Sequence, residues 1–335
     1  MFSIVIPLWN KRNTLAAAVA SVLGQSHEAF ELIIVDDGST DGGMDVVDEF
    51  DDPRIRKLTQ ANAGPGAARN AGIEAARHDW IAFLDADDIW LPGHLAELDR
   101  IRLACPDAGL IGTSFRRIGP NAVPPPRGRD GPMIGTVDYF GRAARGEWLL
   151  CASTAAIPRS SYAALGGFGD SLQGEDSAYW ARIALERPVA VSRRITAVYR
   201  LGMGGISDAK SAGLGRALRQ LGDVGATLAL LVDRYPGIDC PQMRRGVDRF
   251  IDHQLHLCIR HSARIGDFTT LRALPRVCPR PPRLADRAIL ALGRMPPLAR
   301  MVFGVGTRAK ALLRLVRQRL PVTPRFNLES GGHVD

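Results

Sequence analysis

The feature that most constrains this chain is a pattern repeated along its N-terminal part. Short apolar runs, each ending in a polar or acidic cluster, alternate with segments of helical period. Residues 3–8 form the first run, ended by Pro7 and the polar Asn10-Lys11-Arg12-Asn13, and Thr14 to Leu23 carries Leu, Ala and Val at helical spacing. Phe30 to Val35 is a second run, closed by Asp36-Asp37-Gly38-Ser39-Thr40-Asp41, with a helix expected over Met44 to Phe50. Ile55 to Leu58, a helix over Gly66 to Ala76, and a strand Trp80 to Leu84 ending in Asp85-Ala86-Asp87-Asp88 complete the series. Strands alternating with helices of this length predict an α/β layer with a mostly parallel central sheet and flanking helices. Such sheets bind ligands beyond the carboxyl ends of their strands. Trp9, Asp36-Asp37 and Asp85-Ala86-Asp87 all fall there.

Asn121 to Pro132 reads as a loop, because proline and glycine exclude regular structure. A second lobe follows, with an apolar stretch at Leu149 to Ile157, a Gly-rich turn at Gly166–Gly169, a helix over Glu175 to Glu186 and a strand over Val189 to Tyr199. Beyond Gly205 the pattern is helical and Arg-rich. The expected division is a catalytic domain over 1–205, with halves at about 1–115 and 133–205, and a helical basic region over 206–335. From Gly205 to Asp335 there are 22 basic and 10 acidic residues, so the whole of the +8 net charge comes from this region. Five scattered cysteines without a Cys-x-x-Cys pair argue against a disulfide framework or zinc site. The first residues read as a strand rather than a leader, and no apolar run approaches the ~20 residues of a membrane span. A cytoplasmic or peripheral location is the expectation.

The carboxylates of Asp85-Ala86-Asp87 carry most of the chemistry. Like charges partly removed from water repel, and a divalent cation relieves that repulsion. Mg²⁺ or Mn²⁺ takes one or two carboxylates and fills its other positions with water and phosphate oxygens. Asp88 before Ile89-Trp90-Leu91-Pro92 belongs to the same acidic cluster, with a plain helix N-cap as its alternative, and His78 and His94 read as surface residues. Trp9 at a strand end could stack a nucleobase, a contact of ~1–3 kcal/mol, or serve the core. Asp36-Asp37-Gly38-Ser39 alone fits an ordinary turn equally well.

Taken together, Ser3-Ile4-Val5-Ile6-Pro7-Leu8-Trp9-Asn10, Glu31 to Asp41, Asn62-Ala63-Gly64-Pro65-Gly66-Ala67-Ala68-Arg69-Asn70-Ala71-Gly72 and Phe83-Leu84-Asp85-Ala86-Asp87-Asp88 resemble family 2 glycosyltransferases of the GT-A fold. The resemblance spans roughly residues 3–205. It implies an inverting enzyme that moves a sugar from a nucleotide diphosphate, UDP foremost, to a hydroxyl of a glycan or lipid-linked acceptor, in bacterial surface polysaccharide synthesis. It also implies roles for particular residues. Pro7 and Trp9 would lie on the nucleotide, Asp37 would read the base edge, and Arg69 would meet the nucleotide's charge. Asp85 would contact the ribose and Asp87 would hold the metal, Mn²⁺ or Mg²⁺. Gly174-Glu175-Asp176 resembles the family's later Glu-Asp pair, which makes Asp176 the expected catalytic base. A base is needed because a sugar hydroxyl is a poor nucleophile until its proton is taken. Many relatives carry Tyr-Arg-x-His after the late strand; this chain has Tyr199-Arg200-Leu201-Gly202.

Two other α/β classes are excluded. Pro7-Leu8-Trp9-Asn10 cannot supply the Gly-x-Gly-x-x-Gly of a dinucleotide-binding fold, and no Gly-rich basic loop follows the first strand, as a pyrophosphorylase would need. The alternative of another class is a catalytically silent module that binds a nucleotide-sugar or glycan. Leu298 to Leu320 carries an apolar stripe with arginines between, which suits a membrane surface or a packing face. Nucleic acid is not expected as a partner, since no aromatic residues are interleaved with the arginines.

Overall fold

A computed structural model describes residues 1–119, 133–170, 174–203 and 234–265, with isolated residues 227, 230, 231 and 290. The expected loop over 121–132 and the stripe over 298–320 lie outside the described residues.

The strands are β1 (Phe2–Leu8), β2 (Phe30–Asp36), β3 (Ile55–Thr59), β4 (Trp80–Phe83), β5 (Ile89–Trp90), β6 (Leu110–Ile118), β7 (Ile134–Val137), β8 (Ala155–Pro158) and β9 (Val189–Arg200). They form one sheet in the order β3-β2-β1-β4-β8-β6-β9-β5, with β7 also paired to β9. The first four strands are mutually parallel. β8 is antiparallel to both β4 and β6, while β6 and β9 run parallel to each other. The sheet is therefore mixed, and the C-terminal ends of β1, β2, β4, β6 and β9 all reach one edge. The second lobe of the sequence reading continues the first lobe's sheet.

The helices are α1 (Arg12–Leu23), α2 (Pro65–Ala75), α3 (His94–Ala104), α4 (Tyr139–Ala143), α5 (Arg159–Leu165), α6 (Glu175–Glu186) and α7 (Pro241–Ile265). The segment expected as a helix over Met44 to Phe50 is a 3₁₀ helix over Gly43–Glu49. Its short run of β-branched and acidic residues supports only the tighter turn. Two apolar layers sandwich the sheet. One joins Phe2, Ile4, Ile6, Leu8, α1 and α3. The other joins Val5, Ile33, Val35, α2 and α6 with Val247, Phe250, Ile251, Leu255 and Ile259 of α7. Thus α7 packs on the same side of the sheet as α2 and α6, where Phe250 meets Phe140 edge-on at 5.8 Å.

Two contacts fix the layers closely. A Cβ on Gly72 would lie 2.3 Å from Val5 Cγ1, so α2 reaches β1 only because residue 72 has no side chain. His94, expected on the surface, is fully buried. Its ring stacks on Trp90 at 4.2 Å, and Nδ1 lies 2.7 Å from Thr196 Oγ1. Its position in the first turn of α3, facing β9, turns it inward. Burial pushes its pKa down to about 3.

Two outcomes follow. Gly72→Ala should lower stability by about 1–3 kcal/mol through overpacking, read as a lower denaturant midpoint at unchanged slope. The unfolded chain protonates His94 near pH 6.5, whereas the folded chain resists protonation down to about 3. Its contribution to stability is therefore complete above pH 6.5 and shrinks as pH falls below it, by at most about 1.4 kcal/mol per unit. Unfolding of wild type and His94→Gln between pH 7 and 5 should give curves that converge on acidification; parallel curves would contradict this.

Candidate active site

The C-terminal edge of the sheet gathers the polar clusters predicted from sequence. β1 ends at the buried Leu8, and the next side chain, Trp9, is 50% exposed. That exposure removes Trp9 from the core. Asn10 follows at φ 51°, a left-handed conformation that Asn tolerates better than most residues. Its N–H donates to Ser39 Oγ at 3.1 Å, and its Oδ1 accepts from Thr40 N–H at 2.8 Å. This turn ties the end of β1 to the loop after β2. Pro7 sits one residue inside, opposite Val35.

Asp37 is buried, and its carboxylate organises the neighbouring loop. Oδ1 accepts from Gln60 Nε2 at 2.8 Å and Ala63 N–H at 2.9 Å, and Oδ2 accepts from Gly64 N–H at 2.8 Å. Gly64 has φ 92°, which favours glycine there. Oδ2 keeps a second lone pair beyond its one partner.

After β4 the three carboxylates take separate partners. Asp85 Oδ1 accepts from Arg69 at 2.6 Å. Asp87 Oδ2 lies 2.7 Å from Lys11 Nζ, which also donates to the Met203 carbonyl at 2.9 Å. Burial and the nearby Asp85 raise the Asp87 pKa, against the pull of Lys11. Asp88 is no N-cap: it leads into β5, and Gly93 caps α3. Almost fully buried, it accepts from Ser153 Oγ at 2.5 Å and from Arg200 N–H at 2.9 Å. Arg200 Nε also donates to the Asp87 carbonyl. Burial, then Asp85 and Asp87, hold the Asp88 pKa well above the usual carboxylate range.

The sequence implied Arg69 against the nucleotide; the structure gives it different partners. Arg69 is 3% exposed, with one terminal nitrogen 2.6 Å from Asp85 Oδ1 and the other 2.6 Å from Glu175 Oε1. Its guanidinium lies over the Phe168 ring at 5.4 Å. A planar fork with two carboxylates in reach satisfies both rather than turning outward. Arg69 thus links α2, the end of β4 and the first turn of α6. Asp176 is the next residue on α6, and its Oδ1 accepts from Ser177 N–H at 2.6 Å. Burial raises the Asp176 pKa; Arg69 acts in the opposite direction.

A cation is favoured at Asp87, because a partly buried carboxylate beside a second one gains from positive charge and an ammonium already contacts it. Among the described residues no group of three or more His, Cys, Asp or Glu gathers around one point. A divalent ion held there would take its other ligands from phosphate and water, as Mg²⁺ commonly does.

The sequence profile of glycosyl transferase family 2 matches residues 3–166, the span that carries Trp9, Asp37, Arg69 and all three carboxylates after β4. Through this span the chain belongs to glycosyl transferase family 2. The curated relatives are 40–46% identical over 88–99 residues, and the match covers only 14–38% of their own length. One is the Escherichia coli UDP-Glc:alpha-D-GlcNAc-diphosphoundecaprenol beta-1,3-glucosyltransferase WfgD, 42% identical over 96 residues, 28% of this chain and 38% of that protein. Among solved structures, S. aureus TarS 1-349 in complex with UDP-GlcNAc matches with TM-score 0.65 at 14% identity, over 92% of each chain. The Pyrobaculum calidifontis mannosyltransferase PcManGT in complex with GDP-Man and Mn²⁺ matches with TM-score 0.55 at 17% identity, over 95% of this chain and 88% of that one. These likenesses establish the GT-A fold.

Sequence reasoning missed the contacts of Lys11, Ser153 and Arg200. Lys11 and Ser153 lie outside the motifs, and Arg200, although part of Tyr199-Arg200-Leu201-Gly202, carries no local sign that it meets Asp87 and Asp88.

Breaking the Arg69 link should be costly for the family 2 domain. Arg69→Met leaves Asp85 and Glu175 without their buried partner and should reduce stability by about 3–5 kcal/mol. Arg69→Lys keeps the charge but not the fork and should lose less. A loss of under about 0.5 kcal/mol in the Met variant, the range of surface substitutions, would contradict the assignment.

Proposed function

We propose that the protein is an inverting glycosyltransferase that moves a sugar from a nucleotide diphosphate donor, UDP-linked, to a hydroxyl of a glycan or lipid-linked acceptor in bacterial surface polysaccharide synthesis. The observation that carries this reading is the single bridge Asp85–Arg69–Glu175, which holds the donor edge of the sheet beside Asp176 on α6. Further support comes from TarS, which was solved with UDP-GlcNAc, and from WfgD, named for a UDP-Glc donor and a diphosphoundecaprenol acceptor.

In this reading Trp9 stacks the base, and Pro7 shapes the strand end beneath it. The free lone pair of Asp37 Oδ2 accepts from the base edge, and Asp85 meets the ribose. Arg69 acts on the nucleotide through Asp85 rather than by touching phosphate. Asp87 would hold Mn²⁺ or Mg²⁺ with the carboxylate that now meets Lys11; PcManGT was solved with Mn²⁺. When bound, that ion would neutralise charge on the leaving diphosphate. Asp176 takes the acceptor hydroxyl's proton as the oxygen attacks the anomeric carbon, and one displacement inverts that centre. The protein works at the cytoplasmic face of the membrane, with 298–320 against anionic lipid. No helix among the described residues is long and apolar enough to cross a membrane.

Four measurements test this. Asp176→Asn should keep UDP affinity but lose transfer by at least ~10²-fold; a variant that turns over like wild type would reject the base, and a wild-type protein that binds no UDP-sugar would reject the donor. Asp176 must be ionised to act and its pKa is raised, so kcat should fall on the acid side at a pH above the usual carboxylate range, near 4. Chelation by EDTA should abolish turnover and Mn²⁺ restore it, with Asp87→Asn losing only the metal-dependent part of UDP binding. Trp9→Ala should weaken UDP by ~1–3 kcal/mol and Trp9→Tyr by much less.

A further inference from the structure

Trp9 and Trp148 are the two exposed aromatic side chains among the described residues, at 50% and 52% of their surface. Trp9 has a place in the reading above; Trp148 has none yet. One exposed apolar side chain is ordinary by itself; one held in a set orientation by its neighbours loses little freedom when a ligand stacks on it.

Several groups fix Trp148. The Arg117 guanidinium lies over its ring at 4.7 Å and within 6.0 Å of the Tyr199 ring. The Phe115 ring lies 6.4 Å from that of Trp148 and 6.0 Å from that of Tyr199. Among the described residues Arg117 has no carboxylate at ion-pair distance, and its buried Nε has no hydrogen-bond partner. Its cation is therefore directed at the aromatic rings. Trp148 is also joined to the acidic edge. Five residues later Ser153 donates to Asp88 and accepts from Asp85 N–H at 3.1 Å. Between them the Cys151 thiol, already shifted upward by burial, is raised further by Asp88, Asp85 and Asp176.

Strand order fixes the side on which Trp148 lies. Trp9 follows β1, the carboxylates follow β4, and Ser153 precedes β8, whose start lies at the same edge because it runs antiparallel. Arg117 and Tyr199 pair at the ends of β6 and β9 on that edge. From β1 to β6 is three strand spacings, about 14 Å, with the carboxylates between. The base platform and the second platform thus flank the acidic cluster. A ligand stacked on Trp148 approaches the carboxylates from the side opposite the nucleotide.

We propose that Trp148, set by Arg117 and Phe115, is the platform on which the acceptor's pyranose ring stacks. The C–H groups on one face of a pyranose carry partial positive charge and meet the negative face of an indole favourably, and a preset ring loses little freedom on binding. The assignment rests on the glycosyltransferase reading, because it is the position across the carboxylates from the base platform that makes the bound sugar an acceptor.

The test uses the full chain labelled with 5-fluorotryptophan and observed by fluorine NMR. Trp148→Phe and Trp9→Phe assign the two resonances by deletion. UDP with Mn²⁺ is added first, then methyl glycosides of glucose, galactose, mannose and N-acetylglucosamine, with ribitol as an open-chain control. At least one pyranoside should shift the Trp148 signal saturably, at a Kd of about 1–100 mM, while ribitol does not. In the unlabelled Trp148→Ala protein the same pyranoside should bind about three- to ten-fold more weakly by calorimetry, with UDP affinity unchanged. No shift up to about 100 mM, an equal shift with ribitol, or undiminished binding by Trp148→Ala would overturn the platform. The Trp9 signal reports the nucleotide separately. If it stays still on adding UDP while Trp148 responds, the donor reading fails and the sugar platform stands.

Discussion

The Arg69 guanidinium is the interaction on which the rest of the site depends. A buried cation is tolerable only when its charge is answered, and here two carboxylates from opposite sides answer it at 2.6 Å each. One belongs to the loop after β4 and the other to the first turn of α6. The same residue that neutralises Asp85 therefore fixes where Asp176 stands. Asp87 and Asp88 crowd this centre, where burial first and then the negative charge of neighbouring carboxylates raise their pKa values. Lys11 relieves part of it at Asp87. A divalent cation arriving with a diphosphate would relieve it further while bringing its own anionic ligands.

The packing around this centre explains its rigidity. Gly72 lets α2 lie directly on Val5, which sets the height of Arg69 above the sheet. Phe168 packs edge-on against Phe83 at 5.4 Å and against Trp180 at 5.5 Å. Asn70, the neighbour of Arg69, donates to the Phe168 carbonyl and accepts from its N–H. The turn before α6 is thus tied to α2 by backbone bonds as well as by charge. On the other side of the sheet His94 and Trp90 anchor β5 and α3, and Trp90 Nε1 donates to the Ser153 carbonyl at 2.6 Å.

Much of this arrangement was legible in the sequence because it is local. A strand followed by an acidic pair places that pair at a strand end, so Asp36-Asp37 and Asp85-Ala86-Asp87 could be assigned to one edge before any fold was known. Helix α6 was read with its observed bounds because its acids open it and its apolar period closes it. Long-range pairings were not legible. Nothing near Arg69 in sequence reveals that its partners lie 16 and 106 residues away. His94 follows a Pro-Gly turn, and nothing local shows that this first turn of α3 faces β9, so its burial could not be foreseen. Asp88 could pass for a cap because its ligands, Ser153 and Arg200, come from distant segments.

The central claim is that one guanidinium couples the acidic edge of the sheet to the helix that carries Asp176. A double-mutant cycle on unfolding free energy tests it, using Asp85→Asn, Glu175→Gln and the double variant. Since both carboxylates share Arg69, the account predicts a non-additive cycle, with an interaction energy of about 0.5–3 kcal/mol. Additivity within about 0.3–0.5 kcal/mol, as independent sites give, would mean that the two ends of the site are held separately and would contradict it.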